Sequence, residues 1–122
     1  IIQHPAPPGH RRQIARDLLS GLMSVTFPRG AYETEMPDIG QTHRGVGFVR
    51  HDCVDGDPLS AKVVTDYRVE IRRSDATIGH HSWGSMSCDA SHFTIEMDIE
   101  LTENGKLVFS RHWHERIARD MV

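Results

Sequence analysis

From Phe93 to Leu101 the chain alternates without a break. Phe93, Ile95, Met97, Ile99 and Leu101 are apolar, while Thr94, Glu96, Asp98, Glu100 and Thr102 are polar. A sustained period of two predicts a strand with one buried face, because a helix would spread the same residues around its circumference. Leu107, Phe109 and Trp113 continue the apolar set on odd positions. Opposed residues of an antiparallel pair share a face. The pattern therefore predicts Leu101 against Leu107, Ile99 against Phe109 and Ile95 against Trp113, across a three-residue loop Glu103-Asn104-Gly105 with Gly in the left-handed position. A two-residue Asn-Gly turn would pair Phe109 with Glu100 and turn one strand over, so the pattern argues against it.

The same parity extends backwards. A strand over residues 76–88 has Ile78, Met86 and Cys88 on even positions, and a loop over Asp89, Ala90, Ser91 and His92 sets Cys88 against Phe93 and Met86 against Ile95. Val63, Tyr67, Val69 and Ile71 mark the strand before it, and a turn at Ser74-Asp75 sets Ile71 against Ile78 and Val63 against Met86. Four strands thus share one apolar face with no conflict of parity.

Towards the start the periodicity changes. Ile14, Ala15, Leu18, Leu19, Leu22 and Met23 fall on one helical stripe, with Arg11, Arg12, Arg16, Asp17 and Ser20 opposite. This predicts an amphipathic helix over residues 10–24, lying on the apolar face of the sheet. Pro28-Arg29-Gly30 reads as a turn, residues 31–36 as a strand, and Pro37-Asp38-Ile39-Gly40 as a loop. Residues 43–50 read as a strand with Val46, Phe48 and Val49 as its candidate apolar members, and residues 52–59 as a loop. The proline-rich residues 1–9 read as an extended arm or linker, and residues 10–122 as a single domain. The fold class is mainly β (α+β): a curved antiparallel sheet of about six strands with one N-terminal helix. One helix about 10 Å wide covers two or three strands spaced about 4.8 Å apart. Phe109, Trp113 and Val63 would then stay wet unless the sheet curls into a partial barrel or a partner covers it.

Composition narrows the function classes. A net charge of -3 gives no drive towards nucleic acid or an anionic membrane, and no apolar run approaches a membrane span. Two cysteines are too few for a disulfide scaffold. The expectation is reduced thiols in a cytoplasmic protein, with a Cys53–Cys88 bridge as the alternative. The chain opens on Ile1-Ile2, not Met, which reads either as removal of leading residues or as a piece of a longer polypeptide.

Candidate chemistry is sparse. Gly79-His80-His81-Ser82-Trp83-Gly84 is the nearest approach to a nucleophile elbow, but its first Gly is one residue too far from Ser82 and the segment continues as strand. No catalytic residue and no cofactor are assigned. Nine histidines make metal binding the sharper idea. His112 and His114 share one strand face, and the predicted register sets Glu96 opposite His112, so His112, His114 and Glu96 are the candidate metal ligands. A solvated polar face accounts for the same residues, as it does for Asp98 and Glu100. His80 reads as a core histidine beside Leu101, and Trp83 as a surface tryptophan with Asp66 opposite.

Several stretches together carry a family resemblance. Gly56-Asp57-Pro58-Leu59-Ser60-Ala61 is followed by Arg72-Arg73-Ser74-Asp75 and then by Cys88-Asp89-Ala90-Ser91-His92-Phe93. The chain closes on Val108-Phe109-Ser110-Arg111-His112-Trp113-His114-Glu115-Arg116-Ile117-Ala118-Arg119-Asp120-Met121-Val122. This resembles the C-terminal region of CocE/NonD-type serine hydrolases, the cocaine-esterase and X-prolyl dipeptidyl-peptidase-like group. The likeness runs from about Arg12 to Val122 and departs from the family pattern at Ala76, His112 and His114. It implies a non-catalytic accessory domain, because the family's catalytic serine, aspartate and histidine lie in an α/β-hydrolase domain outside this stretch. Its implied partner is that catalytic domain or a second copy of the chain. The alternatives are a small-ligand-binding β protein and a metal-binding protein using the surface histidines.

Overall fold

The computed structural model describes residues 1–4 and 11–120, apart from the side chain of Ala31. Eight strands form one antiparallel sheet: β1 (Ile2–His4), β2 (Gln13–Arg16), β3 (Leu22–Met36), β4 (Gln41–Val54), β5 (Asp57–Arg72), β6 (Thr77–Cys88), β7 (His92–Glu103) and β8 (Lys106–Ala118). Strands β3 to β8 are a meander in chain order, and β1 and β2 both pair along the outer edge of β3. The sheet is open, with β8 at one edge and β1 and β2 at the other, so it does not close as a barrel among the described residues.

Two hairpins adopt the register read from the sequence. Ile71 faces Ile78 and Val63 faces Met86 between β5 and β6. Between β6 and β7, Cys88 faces Phe93, Met86 faces Ile95 and His80 faces Leu101. Tyr32, Gly45, Val69, His80, Leu101 and Phe109 form one row across the whole sheet. In β4, of the three candidate apolar members, Val49 shares this apolar face, while Val46 and Phe48 stand opposite Arg68 and Asp66 on the other. The glycines of β4 make room there. A Cβ on Gly47 would sit 2.6 Å from the Tyr67 ring, and one on Gly45 would sit 2.8 Å from its hydroxyl. Tyr67 therefore lies across β4 where any larger residue would collide.

The β7–β8 hairpin corrects the predicted loop. Asn104 (φ 50°) and Gly105 (φ 79°) are both left-handed, which makes the two-residue turn that parity had argued against. Glu103 pairs with Lys106 and Thr102 with Leu107, and then Val108 is an extra residue before Leu101 meets Phe109. This bulge restores the shared face and moves the register two residues from the prediction. Ile99 now opposes Arg111, and Met97 opposes Trp113.

The predicted helix over residues 10–24 is absent, and the described part of that stretch is β2, a turn and the start of β3. Gly21 at φ 72° cannot continue a helix, and Asp17 closes the turn. The Asp17 carboxylate accepts from the Leu19 amide at 2.9 Å and the Ser20 hydroxyl at 2.7 Å. The Asp17 amide donates to the Leu22 carbonyl at 2.8 Å. Beyond the turn, Ile14 pairs with Val25. The expected turn at Pro28-Arg29-Gly30 lies within β3, where Gly30 (φ 69°) sits at a bulge. Pro28 falls between the stretches of β3 that pair with β1 and with β2, and it stands opposite Phe48 of β4. The loop read over residues 52–59 shrinks to a two-residue turn, Asp55-Gly56, followed by an irregular step in the register with β5. Ile2–His4 of the predicted arm is strand, while residues 5–9 lie outside the described residues.

No described side chain is fully buried. The chain exposes 8758 Å², against about 6,600 Å² for a compact monomer of its mass.

Candidate functional site

The two faces of the sheet differ in chemistry but not in shelter. Along β7 the apolar Phe93, Ile95, Ile99 and Leu101 are half-buried, and so are the polar Thr94, Asp98, Glu100 and Thr102. Met97 on the apolar face is 47 % exposed, and Phe109 beside it in β8 is 46 % exposed. At the turn between β2 and β3, Leu18 and Leu19 are 86 % and 99 % exposed. An apolar face therefore spans the sheet, and no layer covers it among the described residues.

A cavity of about 310 Å³ opens in this face between Met23, Val25, Cys53, Val63, Met86 and Phe93. Cys53 and Cys88 both border it and both are free thiols. They stand on β4 and β6 with β5 between, about 9.6 Å apart by strand spacing and beyond the reach of a disulfide. Each thiol instead meets a carbonyl of the Asp57–Ser60 segment, Cys53 at Asp57 (3.6 Å) and Cys88 at Leu59 (3.8 Å). The Ser60 hydroxyl accepts from the Val54 amide at 2.7 Å and donates to the Asp57 carbonyl at 2.6 Å. The Asp57–Ser60 segment thus touches both thiols. Higher on the face, burial and the Tyr32 hydroxyl raise the Tyr67 phenol above its usual range.

The opposite face carries the polar chemistry. Asp66, Trp83, Asp98 and His112 form a row across β5 to β8. His81 lies 2.8 Å from the Asp66 carboxylate and stacks on Trp83 with ring centres 4.4 Å apart. His112 lies 2.8 Å from Asp98, and His114 lies 3.4 Å from Glu96. The shifted register thus brings Glu96 to His114 and gives His112 a different carboxylate. Among the described residues, the only group of three His, Cys, Asp or Glu side chains with ligand atoms within 4.8 Å of one another is His4, Glu33 and Glu35. Sequence reasoning missed this group. Its members lie on β1 and β3, far apart in the chain, and only the pairing of those strands joins them.

Ser82 sits in the middle of β6 on the apolar face, opposite Tyr67 and Ile99, with no turn around it. Two acids hold local structure. Burial raises the Asp52 carboxyl, but bonds from the Ser24 hydroxyl (2.6 Å) and Arg50 (3.0 Å) bring it below the usual range. The amides of Ser91 and His92, both 2.7 Å away, hold the Asp89 carboxyl well below it, helped by the Ser91 hydroxyl and Arg116. No helix among the described residues is long and apolar enough to cross a membrane. The chain matches no known family model, and neither curated proteins nor solved structures give a match.

Proposed function

We propose that this chain is a non-catalytic β module whose apolar sheet face docks on the catalytic domain of an α/β-hydrolase of CocE/NonD type. The observation that carries the reading is alternation without matching burial. The sequence of β7 separates apolar from polar residues, yet both sets are equally half-sheltered. The chain's surface exceeds that of a compact monomer by about 2,100 Å², the size of one side of a large permanent interface. A contiguous exposed apolar face of more than a few hundred Å² marks a contact. The resemblance carried by Asp57-Pro58-Leu59-Ser60-Ala61 and by the closing residues 108–122 supplies the identity of the partner. The cavity beside Met86 and Phe93 then serves as a socket for a partner side chain. The free thiols of Cys53 and Cys88 fit a reducing, cytoplasmic setting.

The test reads the coding sequence upstream of Ile1 and measures acrylamide quenching of Trp113 in a Trp83→Phe background. The expected result is a hydrolase domain with a G-x-S-x-G elbow upstream, and a Trp113 shielded in the longer protein but quenched in the chain alone. A chain that sediments as a monomer with Trp113 already shielded overturns the reading. A stable dimer with Trp113 shielded replaces the hydrolase domain by a second copy.

A further inference from the structure

At the outer edge of the sheet a short strand carries an unusual set of side chains. β1 is three residues long and pairs only with β3. Ile2 is 49 % exposed, so apolar burial contributes little to holding the strand. A few backbone hydrogen bonds must then offset the ordering entropy of every residue in it. Its last residue, His4, pairs with Glu33 and lies diagonal to Glu35. The His4 Nε2 is 3.0 Å from a Glu35 carboxylate oxygen. Two donors on a tetrahedral ion with bonds of about 2.0 Å stand about 3.3 Å apart, close to the spacing already present.

The third donor is braced from behind. Arg72 Nη2 donates to Glu33 Oε2 at 3.1 Å, and its Nε lies 3.1 Å from Glu70. One oxygen of Glu33 is therefore engaged and the other is left for an ion, the outer arrangement that orients metal-ligating carboxylates. Arg44 is the cross-strand neighbour of Glu33 on β4. With Glu70 included, the surrounding charge is three carboxylates against two guanidiniums, which leaves room for a cation. One imidazole and two carboxylates suit Zn²⁺ better than the all-oxygen shells of Ca²⁺ or Mg²⁺.

We propose that His4, Glu33 and Glu35 form a Zn²⁺ site that clips β1 onto β3, with water completing the shell. The site is separate from the proposed docking face and does not depend on it. His112 and His114 lie on the far edge strand of the same sheet and act as the internal control.

Co²⁺ titration of the untagged chain tests the site by its visible absorption. The expected result is one equivalent of Co²⁺, displaced by Zn²⁺, with the band lost in His4→Ala and in Glu35→Gln. Arg72→Gln should weaken binding about tenfold, and the double variant His112→Ala/His114→Ala should leave it unchanged. Zn²⁺ should also slow amide exchange at Gln3 in the parent chain but not in His4→Ala. A band that survives His4→Ala overturns the proposal. So does a band lost only in the His112/His114 variant, or the absence of any band, which leaves an ordinary ion pair between His4 and Glu35.

Discussion

The two faces of this sheet are built on one backbone and are sheltered to the same degree, yet they hold together differently. On the polar face the side chains find partners within the chain: His81 with Asp66, His112 with Asp98, His114 with Glu96 and Arg72 with Glu33. On the apolar face the residues have few such options. Met97, Phe109 and Ile117 stand about half exposed. Surface ion pairs contribute from nothing to about 1 kcal/mol each, so the polar face is complete but weakly bound. The apolar face holds the larger reserve of free energy, released only when something covers it. Half-burial on both sides thus accompanies paired side chains on one face and exposed apolar ones on the other.

The sharpest way to break this contrast is a pair of neighbouring substitutions on β7. In the chain alone, Ile99→Asp and Glu100→Lys should cost similar amounts, about 1 kcal/mol or less each, because both positions are half-open to water. Once the apolar face is covered, Ile99→Asp strands an unpaired charge and should cost several kcal/mol, while Glu100→Lys is little changed. Urea midpoints of the chain alone and of the assembled protein check this. Global unfolding of the isolated chain by Ile99→Asp would mean that the face is already covered.

A second pair compares close approaches on the two faces. In Gly47→Ala the new methyl would stand 2.6 Å from the Tyr67 ring and 2.8 Å from the Tyr67 Cα. Backbone must move there, and overpacking of that kind costs about 1–3 kcal/mol. In Gly79→Ala, on the polar face, the methyl meets the Thr102 hydroxyl, the end of a side chain that can turn away. Its cost should be the smaller. Denaturant midpoints that rank the two variants in reverse would show that Tyr67 does not lie across β4.

Parity was legible in the sequence and turn geometry was not, for a physical reason. A strand's alternation records which face each residue occupies, so the registers of β5–β6 and β6–β7 followed from Ile71, Ile78, Met86 and Ile95. A bulge changes the count by one and leaves only a faint mark. Val108 is an ordinary strand residue, yet it reconciles the Asn104-Gly105 turn with the shared face of Leu101 and Phe109. The helix misread over residues 10–24 has a related origin. Ile14, Leu18 and Leu22 fit a helical stripe by spacing, but Asp17 and Gly21 between them are turn formers, and β-branched Val25 and Thr26 favour strand. For the candidate site the split is the same. The parity of His112 and His114 was readable, while their carboxylate partners depended on the bulge. The His4–Glu33–Glu35 group required pairing between distant strands.

The smallest expected effect concerns the turn between β6 and β7, where a polar-face residue reaches the end of the sheet. Asp89 accepts from the Ser91 and His92 amides, and Arg116 donates to it from β8 at 3.1 Å. Arg119 donates to the Asp89 carbonyl at 2.9 Å, so the turn also anchors the end of β8. These bonds favour the charged carboxylate and depress its pKa in the folded chain. A depressed carboxylate adds stability that is present above the unfolded value of about 3.9 and is lost as pH falls below it. Melting temperatures measured from pH 7 down to pH 2 should therefore drop at the acid end. Asp89→Asn should remove part of that drop while lowering stability slightly at pH 7. Because both side chains of the pair are about half exposed, salt should blunt the contribution from Arg116. An acid limb identical in Asp89→Asn and the parent chain would show that the turn draws no stability from its charge.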